Sequence, residues 1–145
     1  MVRRYTIAVL GGDGIGPEVT AEAVRVLHAV GERFGLQFAL NDYPVGAAGV
    51  AQAGDPLPAD TRAAVVASDA VLLGAVGDPS LDHAPRRMRP EAGLLALRSL
   101  LAVYANLRPV TANPALAFCS PLKPEYLSGV DVLIVRELTG GLYYG

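Results

Sequence analysis

The chain has 145 residues, of which 52% are hydrophobic and 18% are charged, and its formal net charge is −2. This balance excludes an intrinsically disordered chain, which needs low hydrophobicity and high net charge. Because there is no basic excess and no apolar run long enough to span a bilayer, we expect no nucleic-acid partner and no membrane partner. The single cysteine, Cys119, allows no internal disulfide and favours a reducing, cytoplasmic location.

Apolar runs alternate with helical patterns along the chain. The predicted strands are the extended or apolar runs at residues 5–10, 36–42, 70–76, 102–108 and 130–136. The predicted helices cover residues 17–34, 58–68 and 91–101, with 46–53 as a short helix or loop. The runs 70–76 and 130–136 are continuously apolar, which is typical of strands buried on both faces. This alternation predicts an α/β fold with a largely parallel sheet flanked by helices.

The first helix has clear boundary signals. Pro17 suits the first helical turn, and Gly35 suits the residue just beyond the last turn. The apolar residues of this helix fall on one face, which we expect to be the packed one: Val19, Ala23, Val26, Leu27, Val30 and Phe34.

Two glycine-rich segments follow predicted strands. In the first, Gly11 to Gly16, a dinucleotide fingerprint begun at Gly12 would need glycine where Pro17 stands, so a Rossmann fold is not predicted. The segment is either a tight turn with Asp13 as a capping residue or a ligand-binding loop. The second, residues 74–79, ends a strand at the edge where open α/β sheets bind ligands, and it is either an ordinary turn or part of a site.

The helix 91–101 carries three side chains that share one face. Glu91, Leu94 and Arg98 are spaced three and four residues apart, which aims a carboxylate, an apolar group and a guanidinium in one direction. The pattern is also that of a solvated stripe with one buried leucine. It therefore predicts either a recognition surface or an ordinary helix face.

Two further arginines lie near the ends of predicted extended segments. Arg108 ends the run 102–108, and Arg136 follows an apolar run where an unpaired charge would be costly. The partner of Arg136 is either an internal acid such as Glu137 or a ligand carboxylate. Together with Arg98, these arginines could clamp a multiply charged acid through bidentate pairs.

Other residue types give weaker signals. Tyr143 could serve as a general acid, although most tyrosines are packing residues. Two histidines and one cysteine do not form a convincing zinc site. Asp78 and Asp82 share a loop, but two loop acids alone do not make a metal site.

Four separated segments resemble one family in the right order. IAVLGGDGIGPEV at 7–19 resembles the N-terminus of the β-decarboxylating dehydrogenases, which act on isopropylmalate, isocitrate, homoisocitrate, tartrate or D-malate. RPEAGLLALR at 89–98, YANLRP at 104–109 and VDVLIVRELTGGLYYG at 130–145 resemble the 3-isopropylmalate dehydrogenase branch. The resemblance covers essentially the whole chain, and it implies the family's own α/β fold rather than a Rossmann fold.

The resemblance also implies roles for particular residues. Arg98, Arg108 and Arg136 would bind the malate part of the substrate, Leu94 would contact its isopropyl group, and Tyr143 would assist proton transfer after CO₂ leaves. The implied contacts to NAD are Ile15, Ala75, Asp78, Pro79, Asp82 and Glu91. At Asp78 the chain departs from the branch, which usually has glycine there.

The resemblance implies a longer enzyme with further parts. Residues 1–102 would be the first part of the cofactor and substrate domain, and 103–145 the start of the dimerisation domain of a homodimer. The ligands of Mg²⁺ or Mn²⁺ and the lysine base would lie outside this chain, since its only lysine, Lys123, is in a different motif. We therefore expect an N-terminal portion that is inactive alone. A family enzyme for D-malate, tartrate or homoisocitrate, and a non-catalytic interaction module, are the alternatives.

Overall fold

A computed structural model of the chain describes residues 3–138 and residue 140. The chain divides into two compact units, residues 1–102 and residues 103–145. Within the described residues, no helix is both long and apolar enough to cross a membrane.

The first unit is built on a three-stranded parallel sheet. Its strands are β1 (Arg3–Gly12), β2 (Leu36–Asp42) and β3 (Ala70–Ala75), in the order β2-β1-β3. Its helices are α1 (Gly16–Phe34), α2 (Ala47–Ala53), α3 (Ala59–Ala67) and α4 (Pro90–Leu100). Because all three strands are parallel, their carboxyl ends meet at one edge. The predicted α/β fold with a parallel sheet flanked by helices is confirmed.

The core of the first unit lies where β1 meets the segments that follow β2 and β3. Its buried members share apolar side chains: Ala8, Leu10, Val45, Leu57, Val65 and Leu97. Four of them (Ala8, Leu10, Val45 and Leu57) are fully inaccessible to solvent. Burying a leucine-sized side chain is worth about 2 kcal/mol, so this cluster anchors α3, α4 and the start of α2 to the sheet.

The side of α1 that packs on the sheet agrees in part with the predicted one, since Ala23, Leu27 and Val30 are half-buried. Val19, Val26 and Phe34 are 48%, 62% and 66% exposed, so their assignment to the packed face was wrong. The buried residues of the helix are Gly16, Thr20 and Gly31. A Cβ atom at Gly31 would lie 2.9 Å from the carbonyl oxygen of Leu36, so close backbone approach selects glycine there. Gly35 ends the helix with a left-handed φ of 65°, as predicted.

The second unit contains an antiparallel pair. β4 (Ala105–Thr111) pairs with β5 (Asp131–Glu137), and the connection includes a 3₁₀ segment, Pro114–Cys119, and the short helix α5 (Pro124–Leu127). The prediction that 130–136 is a buried strand was wrong, since every residue of β5 is exposed. An apolar run shows only that a strand is suited to burial. Whether it is covered depends on neighbours that the run does not specify.

Candidate active site

Loops from all three parallel strands meet at the carboxyl edge of the sheet. The main-chain N–H of Asp13 donates to the carbonyl oxygen of Ala75 at 2.7 Å, which joins the turn after β1 to the end of β3. Gly12 has a φ of 79°, and a Cβ atom there would collide with the same carbonyl oxygen. Only glycine fits this combination of left-handed backbone and close approach. The glycine-rich turn is thus held directly against β3.

The Asp13 side chain connects three separate loops. Its carboxylate accepts hydrogen bonds from the main-chain N–H groups of Ala47 at 3.0 Å, Ala48 at 3.0 Å and Gly77 at 2.9 Å. The residue is only 7% exposed. A buried carboxylate is stable there because each oxygen accepts at least one N–H group and because the first turn of α2 places its positive dipole end towards the charge.

The hypothesis that Asp13 caps the following helix was wrong. Ile15 stands at the N-cap position of α1 and makes no side-chain capping hydrogen bond. Asp13 instead caps α2, which lies 34 residues further along the chain. Periodicity cannot reveal a contact at that separation. Gly46, which has φ of 72° and would collide with the carboxylate if it carried a Cβ atom, belongs to the same arrangement.

The loop after β3 carries three of the residues assigned to the cofactor. Asp78 precedes a 3₁₀ turn, Pro79–Leu81, and its Oδ1 accepts the Ser80 main-chain N–H at 2.8 Å. Hydrogen bonds from Ser80 hold the pKa of the Asp78 carboxyl below its ordinary value. Pro79 and Asp82 are exposed on the same loop. The loop begins at Ala75, whose carbonyl is bound by the glycine turn that contains Ile15.

Helix α4 carries Glu91, Leu94 and Arg98, as predicted from their spacing. Glu91 is exposed, and Leu94 and Arg98 are half-buried. The helix is anchored in the core by Leu97, which is 4% exposed. Glu91 lines an open groove of about 490 Å³ together with Ala92, Leu95 and three arginines: Arg86, Arg87 and Arg89.

The register of the second unit brings two of the predicted arginines to one face. Asn106 stands opposite Arg136, and Arg108 stands opposite Ile134, so Arg108 and Arg136 are diagonal neighbours on the same side of the pair. The Arg108 Nε donates to Asn106 Oδ1 at 3.3 Å. Arg136 is exposed, so its expected place at the end of a buried strand was wrong. Tyr143 lies outside the described residues.

Other concave or ligand-like features lie away from these residues. A cavity of about 600 Å³ between α1 and the strands β1 and β2 is lined by Pro17, Thr20, His28, Phe38 and Asp42, among others. The buried Thr20 hydroxyl has no hydrogen-bond partner within the described part of the chain. Within residues 3–138 and residue 140, no group of three or more His, Cys, Asp or Glu side chains is arranged to hold a metal ion.

Comparison with known proteins gives a consistent result. The chain is 54% identical over its whole length to 3-isopropylmalate dehydrogenase of Thermosynechococcus vestitus, and 57% identical over 97% of its length to that of Geobacillus kaustophilus. It spans 40% and 38% of these relatives, respectively.

Solved structures support the same assignment. A β-decarboxylating dehydrogenase from Thermococcus kodakarensis matches 92% of the chain with a TM-score of 0.66 and 34% identity, and the chain covers 33% of it. Isocitrate dehydrogenase from Methylococcus capsulatus matches 97% with a TM-score of 0.72 and 30% identity, and the chain covers 37% of it. The sequence model of isocitrate/isopropylmalate dehydrogenases matches residues 6–145. The resemblance seen in the four segments is confirmed, and the chain belongs to the isocitrate/isopropylmalate dehydrogenase family.

Proposed function

We propose that the protein is an NAD-dependent 3-isopropylmalate dehydrogenase of leucine biosynthesis. The reaction oxidises the C2 hydroxyl of 3-isopropylmalate to a ketone, with hydride passing to NAD⁺, and loss of CO₂ then gives 2-oxoisocaproate. The observation that carries the proposal is 54–57% identity to 3-isopropylmalate dehydrogenases over 97% or more of the chain. It is strengthened by a half-buried leucine, Leu94, at the position assigned to the isopropyl group.

Three guanidinium groups, those of Arg98, Arg108 and Arg136, are proposed to bind the substrate. Arg108 and Arg136 share one face of the strand pair, as a dianionic acid requires. Arg98 lies on α4 one turn beyond Leu94. In the proposed role these arginines bind the carboxylates and hydroxyl and hold C2 in place for hydride transfer. Tyr143 is proposed to help protonate C3 after CO₂ leaves.

The carboxyl edge of the first sheet suits a dinucleotide. Gly14 and Gly77 both have left-handed backbone, and nothing lies within 4 Å of where a Cβ atom would stand, so the main chain there is open to close approach. NAD⁺, when bound, supplies the hydride acceptor. Ile15, Ala75, Asp78, Pro79, Asp82 and Glu91 are the residues proposed to line it.

The ligands of Mg²⁺ or Mn²⁺ are proposed to lie outside this chain. A homodimer, with residues 103–145 as the start of its dimerisation domain, and a cytoplasmic location complete the proposal.

The test is a substrate panel with the intact natural protein. NADH formation is measured with NAD⁺, Mg²⁺ and one of 3-isopropylmalate, D-malate, tartrate or homoisocitrate, and the product is identified by mass spectrometry. We expect 3-isopropylmalate to give the highest kcat/KM and 2-oxoisocaproate as product. A preference for another acid would move the protein to a different branch of the family. No NADH with any of the four, from a folded protein, would favour a non-catalytic role.

A further inference from the structure

The carboxylate of Asp13 lies beneath the cofactor edge without reaching the open surface. It accepts three main-chain N–H groups, from Ala47, Ala48 and Gly77, which belong to two loops other than its own. With 7% of the residue exposed, direct contact with a bound dinucleotide is not its evident role. Its bonds point instead to a role in fixing the shape of the loops around it.

The two segments that donate to Asp13, the start of α2 and the loop at Gly77, have different surroundings. On one side, the start of α2 is anchored in the core, because Val45 is fully buried and the Gly46 N–H donates to the Pro56 carbonyl at 2.8 Å. On the other side, Gly77 has a φ of 145°, and a Cβ atom there would meet nothing within 4 Å. The hydrogen bond from Gly77 to Asp13 therefore ties the loop that follows β3 to the anchored start of α2.

We propose that Asp13 is a positioning residue for cofactor binding. Its carboxylate holds the Gly77 main chain, and thereby sets the conformation of the Ala75–Asp82 loop against which the nicotinamide dinucleotide binds. The inference rests on the proposed function, because that function places the cofactor at this loop. Asp13 would act through the loop main chain, since the residue is only 7% exposed.

The charge and shape of the side chain both matter. Two N–H groups, those of Ala47 and Gly77, converge on Oδ2, while that of Ala48 meets Oδ1. An asparagine keeps the shape but offers only one oxygen, so at least one donor loses its acceptor. An alanine leaves all three donors without the side-chain acceptor. The effect on the loop should therefore increase from asparagine to alanine.

The experiment compares KM values in the intact natural protein. For Asp13→Ala we expect the KM for NAD⁺ to rise by about ten-fold or more, the scale of losing a hydrogen bond to a charged group. For Asp13→Asn we expect a smaller rise in the same direction. The KM for 3-isopropylmalate should change by less than about two-fold, because none of the substrate arginines bonds to Asp13.

Asp69→Ala is the matched control. The Asp69 carboxylate also accepts a main-chain N–H from another strand, that of Thr6 at 2.8 Å, but it does so next to the amino end of β3. Its loss should lower stability without raising the KM for NAD⁺. If Asp13→Ala and Asp69→Ala raise that KM equally, or if both KM values rise together in the Asp13 variants, a general structural role replaces the proposed one.

Two further measurements separate the possible failures. Calorimetric titration of the wild-type protein with NAD⁺ tests cofactor binding apart from turnover. Binding without turnover would contradict the proposed function, and the Asp13 variants would then be compared by their Kd for NAD⁺. Absence of NAD⁺ binding to the wild type would overturn both proposals. If neither variant folds, amide hydrogen exchange in the wild type tests the proposal. A Gly77 amide that exchanges as fast as a free loop amide would show that Asp13 does not hold the Gly77 main chain, and would overturn the proposal.

Discussion

Asp78 places a negative charge on the loop that is proposed to border NAD. Hydrogen bonds from Ser80 lower the pKa of its carboxyl, so the group is ionised throughout the neutral range. A lowered pKa in the folded state contributes stability above the carboxyl's ordinary pKa, and this contribution is lost as the pH falls through the folded-state pKa. Asp78 is partly exposed, and in the proposed role its main consequence is electrostatic, since it would be an anion beside a cofactor that carries two phosphates.

We predict that Asp78→Asn lowers the KM for NAD⁺. Asparagine keeps an oxygen that can accept the Ser80 N–H, so the 3₁₀ turn is retained while the charge is removed. The decrease should be about two- to five-fold at low ionic strength and should shrink as added salt screens the charge. Initial-rate kinetics at low and high NaCl would measure it.

Asp60→Asn is the control for this prediction, because Asp60 is an exposed acid on a different element, α3, and has no proposed role in cofactor binding. An unchanged KM for NAD⁺ in Asp78→Asn at low salt would mean that the charge does not face the cofactor. An equal decrease in both variants would attribute the effect to net charge alone.

Residue types in the glycine turn could be identified from sequence, but their partners could not. The tight turn around Gly12 was one of the two interpretations that the glycine spacing allowed, and its left-handed φ agrees with that interpretation. The partners of Asp13 are 34, 35 and 64 residues away, so no local pattern indicates them. The donors to this carboxylate are main-chain N–H groups, which residues of almost any type supply, so the residue types of the partners do not reveal the contact.

At the scale of elements, sequence periodicity located the strands and helices better than it located their faces. The strand 36–42 and the helix ending at Gly35 agree with the structure because apolar runs and glycine caps are local signals. The packed face of α1 was predicted only in part, because the helix approaches the sheet most closely at small residues, Gly16 and Gly31, which a search for apolar side chains passes over. The antiparallel pairing of β4 with β5 was likewise not indicated by the strand–helix alternation.

The register of β4 and β5 supports a prediction about Arg108. Arg108 and Arg136 share one face of the strand pair as diagonal neighbours. If both bind the dianionic substrate as proposed, loss of the Arg108 side chain leaves only the Arg136 guanidinium on this face. In the intact natural protein, Arg108→Ala should raise the KM for 3-isopropylmalate and lower kcat, with kcat/KM falling by roughly 100-fold or more. The KM for NAD⁺ should stay close to that of the wild type.

A matched arginine control is available on α1. Arg25 is an exposed residue in an i, i+3 ion pair with Glu22 at 2.8 Å, so Arg25→Ala removes the same side chain from a site without a proposed role. Such surface pairs contribute little to stability. Near-normal kinetics for Arg108→Ala, or an equal loss in Arg25→Ala, would remove Arg108 from the substrate site.

At the scale of the whole chain, the two units are unequal in how well their strands are covered. The first unit has a core whose members Ala8, Leu10 and Leu57 are fully buried. In the second unit, β4 and β5 have large apolar side chains that remain about half exposed: Leu107, Val110, Val132, Leu133, Ile134 and Val135. A two-stranded ribbon is marginally stable in water unless further strands or helices cover it. Two of the three arginines proposed to bind the substrate therefore lie on the unit whose strands are less covered.

This inequality predicts a difference in hydrogen exchange within the 145-residue chain. Amides of β1, which pair on both sides with β2 and β3, should exchange at least about 100-fold more slowly than those of β4 and β5. Exchange followed by mass spectrometry on peptides from each strand would measure the ratio, with peptides from the 112–130 connection as the fast reference. Equal protection of β1 and β5 would show that the strand pair is stable without further cover. Slow exchange in β1 alone would mean that β4 and β5 open readily when nothing further covers them. An arginine pair on strands that open is not preorganised for a dianion, so the geometry of Arg108 and Arg136 would then depend on additional contacts to these two strands.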